Sequence, residues 1–126
     1  MITNYPVGDF ITRIKNAALS SAKELRVRKT NYIKAVAEAL EREGFLSEVK
    51  EEDKELIVKL AYARKEPILM NLELVSKPGL RIYETVEELE SKKGPEVYIL
   101  STSKGILSSK EAIKKNIGGE VILKAL

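Results

Sequence analysis

The sequence predicts an α+β protein made of two small subdomains packed together, the first over residues 1–65 and the second over residues 66–126. Amphipathic helical periods and strand-like alternation follow one another in the first half, whereas short strand-like runs dominate the second. The segment 63–67 (ARKEP) interrupts the pattern between them. We therefore expect a helix-strand-helix-strand-strand unit, followed by a mostly β unit with one or two short helices.

The first predicted helix covers residues 6–19, where apolar residues recur at i, i+3, i+4 and i+7. This period leaves Arg13, Lys15 and Asn16 on the solvent side. Residues 25–28 then alternate between apolar and charged side chains, which predicts a short, half-buried strand.

A second helix is predicted over residues 30–43, because either of its first two residues can cap it and Gly44 supplies a left-handed stop. Residues 45–49 and 55–62 then predict a hairpin. The charged run 50–54 between them is typical of a turn.

The second unit begins with two predicted strands, 68–75 and 80–83, around the turn 76–79. Proline followed by glycine suits the two central positions of a type II turn. Residues 86–93 predict a short acidic helix that Gly94-Pro95 ends.

The chain closes with a strand, a helix and a strand. Residues 97–100 are all apolar or aromatic and predict a buried strand. Ser108 and Glu111 match a capping box, so a short basic helix should run to about residue 116. Residues 121–126 predict the last strand.

Basic residues concentrate at both ends of the chain, although the net charge is only +3. Residues 1–34 hold seven Lys or Arg against two acids, and residues 101–126 hold five against two, so the middle is acidic. This distribution favours a polyanion-binding face built from both termini. Chance clustering on a solvated surface is the alternative.

Composition argues against most enzyme designs. The chain has no cysteine and no histidine, which excludes thiolate metal sites, Cys and Ser-His nucleophiles and the commonest neutral-pH general base. Its apolar runs are too short for a membrane helix, and Asp9 and Arg13 interrupt any signal-peptide pattern. We expect a soluble cytoplasmic protein with no cofactor, no metal and no small-molecule substrate.

The most informative stretch is the loop after the strand 97–100. It brings together three hydroxyls, a lysine and a glycine: Ser101, Thr102, Ser103, Lys104 and Gly105. Hydroxyls and exposed backbone N–H groups suit phosphate and sugar oxygens, and they also pair with splayed base edges. A plain serine-rich turn is the alternative.

Enzymatic interpretations of these residues are weak. Ser101 and Lys104 have the S-x-x-K spacing of serine-lysine acyl enzymes, but the companion motifs are missing. The order of lysine and glycine does not match a P-loop. The acidic run 51–53 lies in a predicted turn, where adjacent acids rarely converge on a magnesium ion.

Several motifs together resemble those of the family of small-subunit ribosomal protein eight. They occur in the order that this family has, over nearly the whole chain. They are Thr12-Arg13-Ile14-Lys15-Asn16-Ala17, Glu43-Gly44-Phe45-Leu46, Ser76-Lys77-Pro78-Gly79-Leu80-Arg81-Ile82-Tyr83, Ile99-Leu100-Ser101-Thr102-Ser103-Lys104-Gly105, Lys110-Glu111-Ala112 and Gly118-Gly119-Glu120-Val121.

The resemblance implies a two-part α+β ribosomal protein of bacterial type that binds a helical stem and internal loop in the central domain of small-subunit ribosomal RNA. Neighbouring small-subunit proteins would be its other partners. It places the main RNA contacts at residues 101–105 and at Glu120. It leaves open whether the protein also binds messenger RNA that mimics this site and so represses its own translation.

Secondary RNA contacts are expected in the N-terminal part, where basic groups would fix orientation through phosphates. These residues are Arg13, Lys15, Asn16, Lys29 and Lys34. Tyr83 is a further candidate that would stack on a base or ribose, although a packed tyrosine with its hydroxyl satisfied is favoured over it.

Two other function classes stay open at this point. In the first, the protein is an interaction module whose acidic middle docks a basic protein partner, and its RNA affinity is incidental. In the second, it is a small hydrolase that uses Ser101 and Lys104.

Overall fold

The computed structural model describes residues 6–92 and 94–126. Contacts divide the chain into two compact units, Met1–Asn71 and Leu72–Leu126. The expected division after residue 65 falls inside a small hairpin of the first unit, in which Ala63 pairs with Glu66. Both units mix helices with antiparallel sheet, which confirms the predicted α+β class.

The first unit contains two helices, a three-stranded antiparallel sheet of order β1-β3-β2 and the separate hairpin β4-β5. Its elements are α1 (Pro6–Leu19), β1 (Glu24–Arg28), α2 (Asn31–Arg42), β2 (Leu46–Glu52), β3 (Glu55–Leu60), β4 (Tyr62–Ala63) and β5 (Glu66–Pro67). The predicted order of helix, strand, helix, strand and strand is confirmed, and the small hairpin follows it.

Both helices form as their sequences predict. The apolar stripe of α1 is buried, including Phe10 and Ile14, because its spacing places these residues on one side. Thr30 caps α2 by accepting a hydrogen bond from the Ile33 N–H at 3.0 Å. Gly44 follows α2 with φ of +87°, the left-handed conformation that was expected there.

The predicted hairpin turn at 50–54 is wrong in extent. β2 continues to Glu52, and only Asp53 and Lys54 form the turn. The unbroken run of charged residues concealed the end of the strand, because most of β2 is exposed and needs no apolar residues there. Glu51 therefore sits in a paired strand opposite Leu56 and not at a tip.

The second unit is an antiparallel sheet of order β6-β10-β8-β9, with β7 also paired to β10. Its elements are β6 (Leu72–Leu74), β7 (Tyr83–Glu84), α3 (Val86–Ser91), β8 (Val97–Thr102), β9 (Gly105–Ser108), α4 (Ser109–Lys114) and β10 (Gly119–Ala125). Residues of both helices and of the sheet share one buried cluster: Leu89, Leu100, Leu107, Ala112 and Val121.

Several boundaries in the second unit differ from expectation. The predicted strands 68–75 and 80–83 shrink to β6 and β7, because the buried Ser76 hydroxyl, and not a strand ladder, accepts from the Ile82 N–H at 2.9 Å. β9 was not predicted, and α4 ends at Lys114. The last residue of the predicted helix 86–93 lies outside the described residues.

Two local predictions are confirmed here. The Pro-Gly turn forms over residues 77–80, one residue later than the expected 76–79, with the Leu80 N–H donating to the Lys77 carbonyl, and Gly79 has the positive φ that a type II turn requires at its third position. Ser108 and Glu111 form the predicted capping box, with each side chain accepting from the other residue's backbone N–H.

Candidate nucleic-acid interface

Three of the predicted site residues form one row across the sheet of the second unit. Glu120 on β10 lies opposite Ser101 on β8 and, on its other side, opposite Tyr83 on β7. Directly opposed residues of antiparallel strands project from the same face with Cβ atoms about 5 Å apart. We call Ser101, Glu120 and Tyr83 the polar row.

The paired glycines before Glu120 make this row possible. A Cβ on Gly119 would lie 2.3 Å from the Ser101 carbonyl oxygen, and a Cβ on Gly118 would lie 2.3 Å from the Glu84 carbonyl oxygen. Backbone atoms occupy both places, so only glycine allows β10 to enter between its neighbours here. The two glycines thereby place Glu120 beside its row partners.

Residues 101–105, which we call the hydroxyl tip, close the β8-β9 hairpin. The Thr102 hydroxyl donates to the Gly105 carbonyl at 2.7 Å and accepts from the Lys104 N–H at 3.1 Å, so it shapes the tip from within. Ser103, Lys104 and Gly105 are exposed. In the described part of the chain, the Lys104 ammonium forms no ion pair.

Arg81 is a residue of this site that sequence reasoning missed. Its Nη1 lies 3.2 Å from Oε2 of Glu120. The Glu120 side chain is only 18% exposed, against 46% for Arg81, so the pair is partly shielded from water and fixes the carboxylate. Arg81 lies two residues before Tyr83, and this i, i+2 spacing along an extended segment was the available signal.

Tyr83 contradicts the expectation of a packed tyrosine, because 68% of the residue is exposed. The strand β7 contains only two residues and pairs with the first residues of β10. An exposed aromatic ring therefore stands at the end of the polar row. Such a ring is able to stack on a base or ribose.

A shallow groove of about 480 Å³ continues from Tyr83 along the paired glycines. Glu84 and Glu88 contribute to its lining, as does Asn116. Glu84 also pairs with Lys92 at 2.8 Å, which raises the pKa of that lysine above its usual range. The carboxylates make the groove unsuitable for phosphate and better suited to hydrogen-bond donors.

The N-terminal candidates lie in the first unit. Arg13, Lys15 and Asn16 are exposed on α1, and the Arg13 guanidinium is 3.1 Å from the Asp9 carboxylate one turn earlier.

Lys29 and Lys34 both bind Glu51, and we call these three residues the Glu51 cluster. The pKa of Glu51 is lowered, mainly by the hydrogen bond from Lys34 and next by the one from Lys29. The hydrogen bond to Glu51 in turn raises the pKa of Lys34. Both predicted phosphate contacts therefore already bind a carboxylate within the fold, which offsets one of their two positive charges.

Residues 6–92 and 94–126 contain no group of three Asp or Glu residues placed to hold a metal ion. In the same ranges, no helix has the length and apolarity that a membrane span requires.

A small α+β unit that places hydroxyl, carboxylate and aromatic groups in one row across a sheet is typical of a domain that recognises a polar macromolecule by its surface. The family model described as "Ribosomal protein S8" matches residues 5–125. Proteins named "Small ribosomal subunit protein uS8" from Streptococcus uberis and Streptococcus pneumoniae are each 44% identical to this chain, over 97% of both lengths. The chain belongs to the ribosomal protein S8 family, whose members are structural constituents of the ribosome and not a class of enzymes.

Proposed function

We propose that the protein is a primary binder of small-subunit ribosomal RNA, recognises a helical stem with an internal loop in the central domain, and aids assembly of the subunit. The polar row beside the hydroxyl tip is the observation that carries this proposal. It places hydrogen-bond donors, an acceptor carboxylate and a stacking surface close together across three neighbouring strands.

Each group of the site suits a different part of an irregular RNA. Regular A-form RNA hides its major-groove edges, so bases are readable mainly where a loop or bulge opens the helix. The hydroxyls of Ser101 and Ser103 are suited to sugar and base edges, and the Lys104 ammonium to a phosphate. Tyr83 offers its exposed ring to a base or ribose.

Glu120 gives the site selectivity. A carboxylate repels phosphate but accepts a hydrogen bond from a base amino group, and Arg81 holds it ready in one orientation. A base without that amino group would not form this hydrogen bond and would still displace water from the carboxylate. Glu120 therefore discriminates between bases, while Lys104 contributes affinity for any RNA.

Of the remaining partners, messenger RNA would use the same surface and neighbouring proteins would not. Messenger RNA that mimics the ribosomal site would compete for the polar row, which would allow the protein to repress its own translation in the cytoplasm. Contacts with neighbouring small-subunit proteins would use other surfaces, because the row and the tip would be covered by RNA.

Footprinting on purified small-subunit ribosomal RNA tests the proposal, with filter binding on the protected fragment and on a scrambled fragment. We expect Glu120→Gln to reduce the preference for the protected fragment about tenfold, since a hydrogen bond to a charged group contributes about 1.5 kcal/mol. Arg81→Gln should have a smaller effect in the same direction. The two losses should not add in the double variant, because both act on one carboxylate.

The double variant Ser101→Ala with Ser103→Ala should also lose preference more than non-specific affinity. Glu90→Gln, which changes an exposed carboxylate of α3 that does not line the groove, is the matched control and should change neither. Equal losses on both RNAs for the site variants would contradict recognition by the polar row. Absence of any protected region in the central domain would reject the proposed function and favour a protein-interaction module.

A further inference from the structure

The hairpin β4-β5 in the first unit has an unusual turn. Its two central residues, Arg64 and Lys65, both adopt positive φ, at +53° and +69°. A two-residue turn with both φ positive is type I′, which strongly prefers Asn-Gly because other side chains are strained there. This chain retains two long cationic side chains where strain disfavours them, and such an outlier is a reason to look for a function.

The fold holds this turn firmly. Ala63 pairs with Glu66 and Tyr62 with Pro67, and the Ile68 N–H donates to the Ala61 carbonyl at 2.9 Å. The Tyr62 hydroxyl also donates to the carbonyl of Ala22, which ties the base of the hairpin to the chain just before β1. The two cations are therefore presented on an anchored support.

The charges on this turn are not neutralised within the fold. Arg64 and Lys65 are exposed and form no ion pair with any described residue, in contrast to the two lysines that Glu51 holds. The neighbouring Glu66 is also exposed and unpaired in the described ranges, so it reduces the local positive potential without binding either cation.

We propose that Arg64 and Lys65, which we call the cationic turn, form a second phosphate-binding site for RNA, separate in the chain from the polar row. The proposal rests on the proposed function and adds to it a contact that orients the RNA without reading its sequence. An anchored pair of adjacent cations suits two neighbouring phosphates of one backbone, because the entropy cost of ordering the support is already met by the fold.

The test replaces the turn by the residues that its geometry prefers. The double variant Arg64→Asn with Lys65→Gly removes both charges and relieves the strain, so its melting temperature should equal or exceed that of the wild type. We expect its affinity for the protected ribosomal fragment to fall, and the slope of log K against log salt to decrease in magnitude by about 1.4 to 1.8 for two phosphates. Preference over scrambled RNA should be unchanged.

Two further variants separate a local contact from a change in net charge. Lys50→Gln with Lys54→Gln removes two exposed cations from the β2-β3 hairpin and should change the slope much less. Glu66→Gln removes the neighbouring negative charge and should tighten binding.

The possible results distinguish the two proposals. Failure of the wild type to bind the fragment would reject the proposed function itself. Normal wild-type binding with an unchanged slope in the turn variant would overturn the cationic turn alone and leave this hairpin to a protein partner. An equal change of slope in the Lys50 and Lys54 variant would also overturn it, since net charge would then explain the effect.

Discussion

The two regions that contain predicted lysine contacts to RNA differ in whether the lysines have a partner within the fold. In the first unit, Glu51 on β2 binds both Lys29 and Lys34, so these cations are satisfied within the fold. In the second unit, the Lys104 ammonium stands on the hydroxyl tip without an ion pair among the described residues, and the tip satisfies its own turn through Thr102.

This difference shows why a basic residue in a sequence is not yet a phosphate ligand. A lysine that must leave a carboxylate before it meets a phosphate gains little, because one ion pair replaces another. A lysine without a partner gains the whole interaction and releases a counterion from the RNA. The first region thus contributes to the fold, and the second is available for binding.

The largest effect is expected from Gly119→Ala, which disturbs the close backbone approach of β10 and β8 in the second region. The new Cβ would lie 2.3 Å from the backbone carbonyl oxygen of Ser101, so β10 and β8 must separate. We expect a loss of about 3 kcal/mol or more in the free energy of unfolding, measured by urea denaturation, together with loss of specific RNA binding.

Gly79→Ala is the matched control for this substitution. A Cβ at Gly79 meets nothing within 4 Å, and the only penalty is its φ of +82°, which costs about 1 kcal/mol. A loss for Gly119→Ala no greater than for Gly79→Ala would mean that the close approach of the strands does not limit this site.

An intermediate effect is expected when the lysines of the two regions are compared directly. Lys104→Ala should decrease the magnitude of the salt slope of RNA binding by about 0.7 to 0.9, the value for one phosphate, and leave the melting temperature unchanged. Lys34→Ala should change the slope less, because its ammonium binds Glu51 and would have to leave that carboxylate to meet a phosphate. Filter binding at four or five salt concentrations gives both slopes. The comparison fails if Lys34→Ala changes the slope as much as Lys104→Ala does.

Local features of this fold could be predicted from the sequence because their causes are local. The apolar period of α1, the Thr30 cap of α2 and the Ser108 capping box each depend on residues a few positions apart. The extent of β2 could not be predicted, because its charged residues are held by partners on other elements. β9 was missed because four residues carry too little periodicity to distinguish a strand from a loop.

The candidate site also has one part that the sequence predicts and another that it does not. The hydroxyl tip is contiguous in sequence and was found there. The polar row depends on the register of β10 against β8 and β7, over separations that no periodicity encodes. Arg81 was overlooked and Tyr83 was expected to be packed for that reason. The pairing of Lys29 and Lys34 with Glu51 was also hidden, since all three appear as separate surface charges along the chain.

The smallest effect concerns the pH dependence of stability in the first region. The two lysines lower the pKa of Glu51 below its ordinary value of 4.5, so folding favours the ionised carboxylate. This contribution is present above pH 4.5 and is lost as the pH falls through the lowered pKa of the folded state. Glu51→Gln should therefore be less stable than the wild type at pH 7, and the gap between their urea midpoints should close toward pH 3.

Glu48→Gln removes a carboxylate that binds the single lysine Lys59, and it should produce a smaller gap at pH 7. All of these groups are solvent-exposed, so the differences will be small and should shrink further in high salt. A gap for Glu51→Gln of the same size at pH 3 and pH 7 would show that ionisation of Glu51 does not stabilise the fold. Lys29 and Lys34 would then have to be regarded as available for phosphate, and the contrast between the two regions would disappear.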